Sequence, residues 1–566
     1  MAEPIKHITI VGGGTAGWMS ALILSTTLEK SATGKGVHIK LIESPNIPTV
    51  GVGEATVPGM PRTLQDAGIS EEEFFKTCNA SFKLGVLFDS WNVDARGDPV
   101  AYVNPFARPP VLRGRDAALY YAKYGGDGMD FTQVFSPSVD LYRAHRGPRP
   151  ITETEQYKRG VGYAYHLDAG LFSKMLSKVC IERGVEHVQD DMERVELDDR
   201  GYVAGLHLKE TGRHPVELVL DCTGFRGLII NEALGEEFVS YSDFLANDRA
   251  MAVQIPHPDP DKLDSVTRST ALGAGWTWHV PLFNRIGTGY VFSSAHRTDE
   301  QARSEFLEWL GPRGEGAEPR VIPMRVGRSQ NAWVKNCVAI GLSGGFIEPL
   351  ESTAIHMIDM GVRWLVTFFP DTDFAAPPRA RYNKTVDKLY NEVRDFICAH
   401  YALGNRTDSD YWIDARESLK VPDSLAENLE LWKHCMPGPY DLEFSSLFSH
   451  ETYQTVLLGK KVYETGYGRD TFGSSQDLDP DLWQAYLGQF KKQSAKIVNI
   501  CADHRSYLKN LRGEQGGADQ QPWGAGATIA PTVGQVSTGF SSNLASVFEK
   551  KVAEAQSKDT EDANLL

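Results

Sequence analysis

The feature that most constrains the fold is a glycine turn between a short apolar strand and a helix. His7 to Val11 has the apolar run of a buried strand, and Gly12-x-Gly14-x-x-Gly17 follows it directly. Helical periodicity runs from about Ala16 to Leu28, and the next strand, Val37 to Ile42, ends at Glu43. Glycines at these positions let the backbone approach a pyrophosphate at a helix N-terminus, and the terminal acid suits a ribose hydroxyl. The pattern predicts a βαβ unit that binds a dinucleotide.

The remainder of the chain predicts more strands, then helices. Ser70-Glu71-Glu72-Glu73 resembles a capping box that starts a helix leading towards Lys83. Apolar, partly alternating segments predict strands at Met192 to Leu197, Val203 to Leu208, Val216 to Leu220 and Cys337 to Leu342. From about Pro378 to Asn510 the pattern is mainly helical, with starts at Asp423 and Asp479. We therefore predict an α/β fold with an interleaved body over 1–380, a helical region over 381–512 and a flexible Gly/Gln/Ser/Ala-rich tail over 513–566.

Composition excludes several classes of protein. The formal net charge of -16 argues against a nucleic-acid binder, which needs a basic face. No apolar run approaches the roughly 18 residues that cross a bilayer, and the N-terminus lacks a signal-peptide pattern. The 7 cysteines form no CxxC pair and the 15 histidines no HExxH motif. We expect a cytoplasmic protein that binds neither a membrane nor a metal.

Three segments in a fixed order carry a resemblance to a known family. They are Gly12-Gly13-Gly14-Thr15-Ala16-Gly17-Trp18, Gly275-Trp276-Thr277-Trp278-His279-Val280-Pro281 and Ile347-Glu348-Pro349-Leu350-Glu351-Ser352-Thr353-Ala354-Ile355. Together they resemble the flavin-dependent halogenases of the tryptophan-halogenase type. Gly51 to Pro58, Asp221 to Gly227 and Val338 to Leu342 resemble that family's segments near the flavin.

The resemblance implies an FAD-binding Rossmann-like domain of the monooxygenase (GR2) type, with an interleaved substrate-binding sheet. The residues expected at the cofactor are Gly12, Gly14, Thr15, Ala16, Gly17, Glu43, Ser44, Ala55 and Leu342. The sequence carries one dinucleotide fingerprint, whereas an enzyme binding both FAD and NAD(P)H by such units would show two. We expect FAD to arrive reduced, as FADH2, from a separate NAD(P)H-dependent flavin reductase.

The resemblance also implies the chemistry. Reduced FAD, O2 and chloride or bromide would yield hypohalous acid, which a lysine matching Lys83 would pass to the substrate. Apolar and small neighbours would favour the neutral amine of Lys83; the plainer interpretation is a surface lysine. Glu351 would stabilise and deprotonate the cationic ring, the plainer interpretation being a helix N-terminal acid.

Two further features of the motifs bear on the reaction. Thr353 and the amide of Ala354 match the halide site, although the best-known tryptophan halogenases have glycine at the second position, and alanine resists positive φ. The two tryptophans Trp276 and Trp278 are often regarded as a barrier against direct monooxygenation. We favour a simpler role, in which two large aromatics pack a wall between flavin and substrate.

The substrate side departs from the tryptophan halogenases. Phe106 keeps one aromatic, but Asn104 stands where a histidine is usual. Glu443 aligns with the acid that binds the ammonium group, and Phe448 replaces a sandwiching tryptophan. The paired tyrosines upstream are absent, so a zwitterion would lack partners for its charges. We expect an aromatic substrate without a free amino-acid group, such as an indole, a phenol or a larger aromatic, with free tryptophan as the alternative.

Two other functions stay open from the sequence. A flavin monooxygenase would hydroxylate an aromatic without needing Lys83, and a non-catalytic flavin protein would bind FAD without forming product. The presence of both Lys83 and Glu351 argues against the second. The sequence leaves the oligomeric state open, a homodimer being one option.

Overall fold

The computed structural model describes residues 3–28, 36–47, 53–467 and 472–514. A six-stranded sheet is built around the glycine turn. Its strands are parallel except for the last, and their order is Glu186–Gln189, His38–Glu43, His7–Val11, Leu218–Asp221, Cys337–Ala339 and Trp333–Val334. Helix Thr15–Leu28 connects the strands His7–Val11 and His38–Glu43, which pair in parallel. The predicted βαβ unit is confirmed.

A seven-stranded sheet forms the second large layer. It is antiparallel except where Thr267–Leu272 pairs in parallel with Gly85–Val93. The strand order is Arg320–Pro323, Arg249–Ile255, Ile286–Phe292, Gly275–Pro281, Thr267–Leu272, Gly85–Val93 and Pro99–Pro105. The two large sheets take segments that alternate along the chain, which is why neither forms from one contiguous stretch.

A small three-stranded sheet connects the strand Gly53–Ala55, which lines the same cavity as the glycine turn, with the strand that ends at Lys83. Ala164–Asp168 is its central strand, with Gly53–Ala55 on one side and Ser81–Lys83 on the other. Ala164 pairs with Lys83 and His166 with Ala55. The other small sheets are Met192–Leu197 with Val203–Leu208 and Gly212–Pro215, Phe238–Ser240 with Gly327–Ser329 and Gly345–Phe346, Arg146–Pro150 with Cys501–Asp503, and Val111–Leu112 with Arg115–Asp116.

Helices cover the sheets and dominate the C-terminal part. Their bounds are Thr15–Leu28, Gly59–Asp66, Glu71–Thr77, Ala117–Tyr124, Ser138–Arg143, Ala169–Glu182, Asp299–Leu310, Ala354–Thr367, Ala376–Ala402, Asp410–Glu417, Asp423–Leu431, His450–Gly459, Pro480–Ile500 and His504–Leu511. Three predicted starts are confirmed: Ser70 and Asp479 accept hydrogen bonds from the first-turn amides of their helices, and the third helix begins at Asp423.

Three predicted strands differ in their bounds. The second strand of the βαβ unit, predicted over Val37 to Ile42, is observed over His38–Glu43. The segment predicted from Val216 forms a strand only over Leu218–Asp221. Cys337–Ala339 stops early because Gly341 adopts a φ of +73° and starts a 3-10 turn, so Leu342 leaves the strand. In the described part of the chain, no helix combines the length and the apolar character needed to cross a membrane. The predicted tail lies almost entirely outside the described residues, from position 515 onward.

Candidate functional site

One cavity of about 600 Å³ extends from the glycine turn to the N-terminus of helix Ala354–Thr367. Most of the residues expected at the cofactor or the halide line it: Gly12, Gly14, Thr15, Ala16, Glu43, Ser44, Ala55, Leu342, Thr353 and Ala354. Gly17 has a different function. A Cβ there would lie 1.8 Å from the carbonyl oxygen of Gly12, so Gly17 lets the helix pack against the turn.

The glycine turn is shaped for a ligand with a pyrophosphate. Gly12 has a φ of +116°, and a Cβ there would lie 2.2 Å from the carbonyl oxygen of Cys222. At Gly14 a Cβ would meet nothing within 4 Å, so this backbone faces open space at the start of a 14-residue helix. The carboxylate of Glu43 accepts a hydrogen bond from Nε2 of His187 at 2.9 Å and lines the same cavity. These residues fit FAD.

Lys83 lies at the end of its strand and is completely buried. Its Nζ donates to Oγ of Ser352 at 2.8 Å and to the carbonyl of Thr56 at 3.0 Å. The ring centroid of Phe106 is 5.4 Å from the same nitrogen. Burial lowers the pKa of Lys83 to about 7, although the charge of Glu351 opposes the shift. Lys83 is therefore not a surface lysine, and a large share of it is a neutral amine near pH 7.

Glu351 ends a short 3-10 turn, Pro349–Glu351, and is buried. Its Oε1 accepts a hydrogen bond from Nδ2 of Asn104 at 3.0 Å and lies 3.2 Å from Nε2 of His400. Burial lowers the pKa of His400 below its usual value, so at neutral pH its imidazole is neutral. The motif was predicted to open a helix at Glu351, but the helix begins at Ala354, so this carboxylate lies outside the first turn.

The sharp turn between Glu351 and the helix is made by Ser352. Its φ is +61°, whereas Ala354 is not among the non-glycine residues with positive φ. The strain expected from alanine in place of glycine is therefore absent. Thr353 is buried, and Ala354 opens a 14-residue helix whose first amides have no intrahelical acceptor. These amides provide a physically suitable place for an anion.

The two tryptophans of the middle motif have different surroundings. Trp276 is buried and donates from Nε1 to Oε2 of Glu348 at 3.0 Å, while Trp278 lines the cavity. Glu348 also accepts from the hydroxyl of Tyr401 at 2.5 Å and from Nδ2 of Asn247 at 2.9 Å. Burial raises the pKa of Glu348. These hydrogen bonds give Glu348 partners that Glu351 does not share. They also hold Trp276 in place, as expected for tryptophans that pack a wall.

Comparison with known proteins identifies the family. The family model described as tryptophan halogenase matches residues 7–471. The chain belongs to the tryptophan halogenase family. Among its relatives, the tryptophan 6-halogenase SttH of Streptomyces toxytricini is 39% identical over 80% of this chain and 88% of its own. The 7-chloro-L-tryptophan 6-halogenase KtzR of Kutzneria sp. (strain 744) is 36% identical over 89% of this chain and 99% of its own.

Solved structures agree with this assignment. The tryptophan halogenase of Shewanella frigidimarina has a TM-score of 0.83 at 32% identity, covering 90% of this chain and 98% of its own. The fold prediction, an α/β fold with an FAD-binding Rossmann-like part, is confirmed. The protein is an enzyme, a flavin-dependent halogenase.

The predicted substrate residues of this halogenase do not all lie together. Asn104 and Phe106 are brought to Glu351 and Lys83. Phe448 is buried and stacks on Phe396, with ring centroids 3.9 Å apart. Glu443 differs from the expectation: its side chain is 87% exposed and pairs with Nζ of Lys388 at 2.8 Å. An acid that is open to water at the surface does not supply a buried partner for a substrate ammonium group.

Sequence reasoning missed His400, Thr56 and Ser352 as members of the site. His400 contacts Glu351 from the long helix Ala376–Ala402, and no motif connects the two positions. A signal does exist in the helix itself, since Glu392, Phe396 and His400 follow one another at intervals of four residues and so share one face.

Proposed function

We propose that this halogenase uses FADH2, O2 and chloride or bromide to halogenate an electron-rich aromatic ring held between Lys83 and Glu351. The observation that carries the proposal is the environment of Lys83. Lys83 is a fully buried amine whose Nζ donates a hydrogen bond to Oγ of Ser352, and Ser352 lines the cavity. A flavin monooxygenase would not need such an amine next to the cavity.

The amine of Lys83 would receive the oxidised halogen. A neutral amine can displace hydroxide from hypohalous acid to form a haloamine with release of water, and an ammonium can hold the acid by a hydrogen bond. The pKa of about 7 makes both forms available near neutral pH. The hydrogen bonds to Ser352 and Thr56 fix the nitrogen, which gives the halogen one direction of delivery.

Glu351 would act on the ring after the carbon–halogen bond forms. Asn104 and His400 both approach Oε1, so one carboxylate oxygen is anchored. The other oxygen, Oε2, is left to stabilise the cationic ring and to remove its proton. Asn104 thus supports the carboxylate from the position where the family usually has a histidine.

The glycine turn, Glu43, Ser44, Ala55 and Leu342 would hold FAD in the cavity. Reduced FAD with O2 supplies the oxidising power that converts halide to hypohalous acid. Thr353 and the amide of Ala354 would bind the halide. A separate NAD(P)H-dependent flavin reductase would supply the reduced cofactor.

We further propose that the substrate is an indole or phenol without a free amino-acid group. The exposed position of Glu443 supports this, because an ammonium group would find no buried acid there. Free tryptophan is the second candidate, and two relatives favour it: SttH is a tryptophan 6-halogenase and KtzR is a 7-chloro-L-tryptophan 6-halogenase.

The test is turnover of a panel of indoles and phenols, including L-tryptophan, with FAD, a flavin reductase, NADH, O2 and chloride or bromide. Products are examined by mass spectrometry for halogen isotope patterns. We expect halogenated indole or phenol, lost in Lys83→Ala. Efficient turnover of tryptophan alone would refute the substrate proposal, and oxygenated product without halogen would support a monooxygenase instead.

A further inference from the structure

One face of the long helix Ala376–Ala402 connects a surface loop with Glu351. Glu392, Phe396 and His400 lie four residues apart, which places them one above another on the helix. His400 lies 3.2 Å from Oε1 of Glu351. We call these three residues the helix face.

Glu392, at the N-terminal end of the helix face, accepts hydrogen bonds from the loop Ser446–Phe448. Oε1 of Glu392 accepts from the amides of Leu447 and Phe448, both at 2.7 Å, and Oε2 accepts from Oγ of Ser446 at 2.7 Å. Glu392 is only 7% exposed, and no ion pair with a basic side chain is found for it in the described residues. A buried carboxylate without a counter-charge is costly, so three donors from one loop are the compensation.

The middle of the helix face carries the aromatic contact. Phe396 stacks on Phe448 and meets the ring of His400 edge-on, with centroids 5.1 Å apart. The loop, the stacked ring pair, His400 and Glu351 thus form one continuous series of contacts. A loop freed from Glu392 would release Phe448 while leaving the Lys83 side of the site in place.

We propose that Glu392 is a positioning residue for substrate binding. It holds the loop Ser446–Phe448 closed, with Phe448 stacked on Phe396 and Phe396 against His400 beside Glu351, so that these rings border the substrate. The inference rests on the proposed function, because it assigns the substrate to this side of Glu351. Glu392 touches neither substrate nor cofactor; it acts through the loop. The measured substrate Kd then equals the intrinsic Kd divided by the fraction of molecules with a closed loop.

The test is direct binding of two probes, indole and L-tryptophan, to wild type and Glu392→Gln by calorimetric titration without turnover. The glutamine has the same shape and can keep the three contacts, its oxygen accepting from the two amides and its NH2 group donating to Oγ of Ser446, but it removes the charge that strengthens them. We expect the Kd of the better-bound probe to rise roughly tenfold, as for the loss of a charged hydrogen bond. FAD affinity should stay within twofold, since Glu392, Phe396 and Phe448 are not part of the lining of the flavin cavity. Ser446→Ala, which removes one of the three donors, should give a smaller rise in Kd.

Glu427→Gln serves as the matched control, because Glu427 is exposed on the neighbouring helix Asp423–Leu431. An unchanged Kd in Glu392→Gln, or no saturable binding of either probe to the wild type, overturns the inference. Equal losses of probe and FAD affinity would indicate a purely structural role and also overturn it. Failure of the proposed function appears separately, as absence of halogenated product from wild type that binds the probe normally.

Discussion

Replacing Lys83 by methionine removes a buried amine but keeps the apolar stem of the side chain. Burial lowers the pKa of this lysine from its ordinary value of 10.5 to about 7. One pKa unit corresponds to about 1.4 kcal/mol, so holding this amine in the folded state costs about 4 kcal/mol at pH 7. Lys83→Met removes this cost, which raises the free energy of unfolding, although losing the hydrogen bonds to Ser352 and Thr56 offsets part of the increase. The contribution of these hydrogen bonds does not vary with pH in the same way.

The pH dependence has a definite sign. Between pH 7 and 10.5 the unfolded chain binds the proton of Lys83 and the folded chain has lost it, so raising the pH stabilises the fold. The cost of burying the amine falls from about 4 kcal/mol at pH 7 to about 2 kcal/mol at pH 9. The difference in unfolding free energy between Lys83→Met and wild type should therefore shrink by about 2 kcal/mol over this interval.

Guanidinium unfolding of the flavin-free proteins at both pH values measures this difference. Lys209→Met, at a position 56% exposed, should show no such pH dependence. Lys460→Met is the matched buried case. Lys460 is also fully buried with a pKa lowered to about 7, but its Nζ donates to Asn92 at 2.6 Å rather than to Ser352. The unfolding free energy of Lys83→Met relative to wild type could prove independent of pH while that of Lys460→Met shows the expected dependence. This outcome would show that Lys83 is hydrated and charged. That result would refute the argument for a neutral amine.

Three other substitutions test the remaining parts of the site. Glu351→Gln should lower the rate constant of ring halogenation on the order of 10²-fold in single-turnover assays while hypohalous acid, measured with a chemical trap, still forms, because the ring cation loses the carboxylate that stabilises and deprotonates it; equal loss of both would place Glu351 at the flavin step. Gly12→Ala should weaken FAD binding at least about tenfold in a fluorescence titration, since the new Cβ would lie 2.2 Å from the carbonyl oxygen of Cys222 at a φ of +116°; normal affinity would contradict the geometry of the turn. Glu443→Gln should leave kcat/KM within about twofold because the side chain is 87% exposed and pairs only weakly with Lys388; a large loss would return Glu443 to the substrate site.

The parts of the fold that follow local rules were predictable from the sequence. The strand His7–Val11, the glycine turn and helix Thr15–Leu28 are each specified by neighbouring residues, and so are the helix caps at Ser70 and Asp479. The predicted strand bounds were wrong where tertiary contacts decide them. Leu342 has an apolar neighbourhood that extends the strand pattern, but the positive φ of Gly341 turns the chain towards the cavity.

The site was predictable only where a motif covers it. Lys83 and Glu351 were found because the resemblance supplies them, and burial of Lys83 agrees with its apolar neighbours. His400 was missed because its contact with Glu351 joins residues 49 positions apart on two separate elements. The exposure of Glu443 and its pairing with Lys388 could not be predicted, because they join residues 55 positions apart that no local pattern connects.

We propose that Lys83 carries the halogen from the flavin side to the ring. The most direct test is the ratio of halogenated product to reduced flavin consumed, measured together with trapped hypohalous acid in wild type, Lys83→Met and Lys460→Met. We expect product from wild type and Lys460→Met, whereas Lys83→Met should oxidise reduced flavin and release hypohalous acid without halogenating the ring. Halogenated product from Lys83→Met at the wild-type ratio would contradict transfer through Lys83.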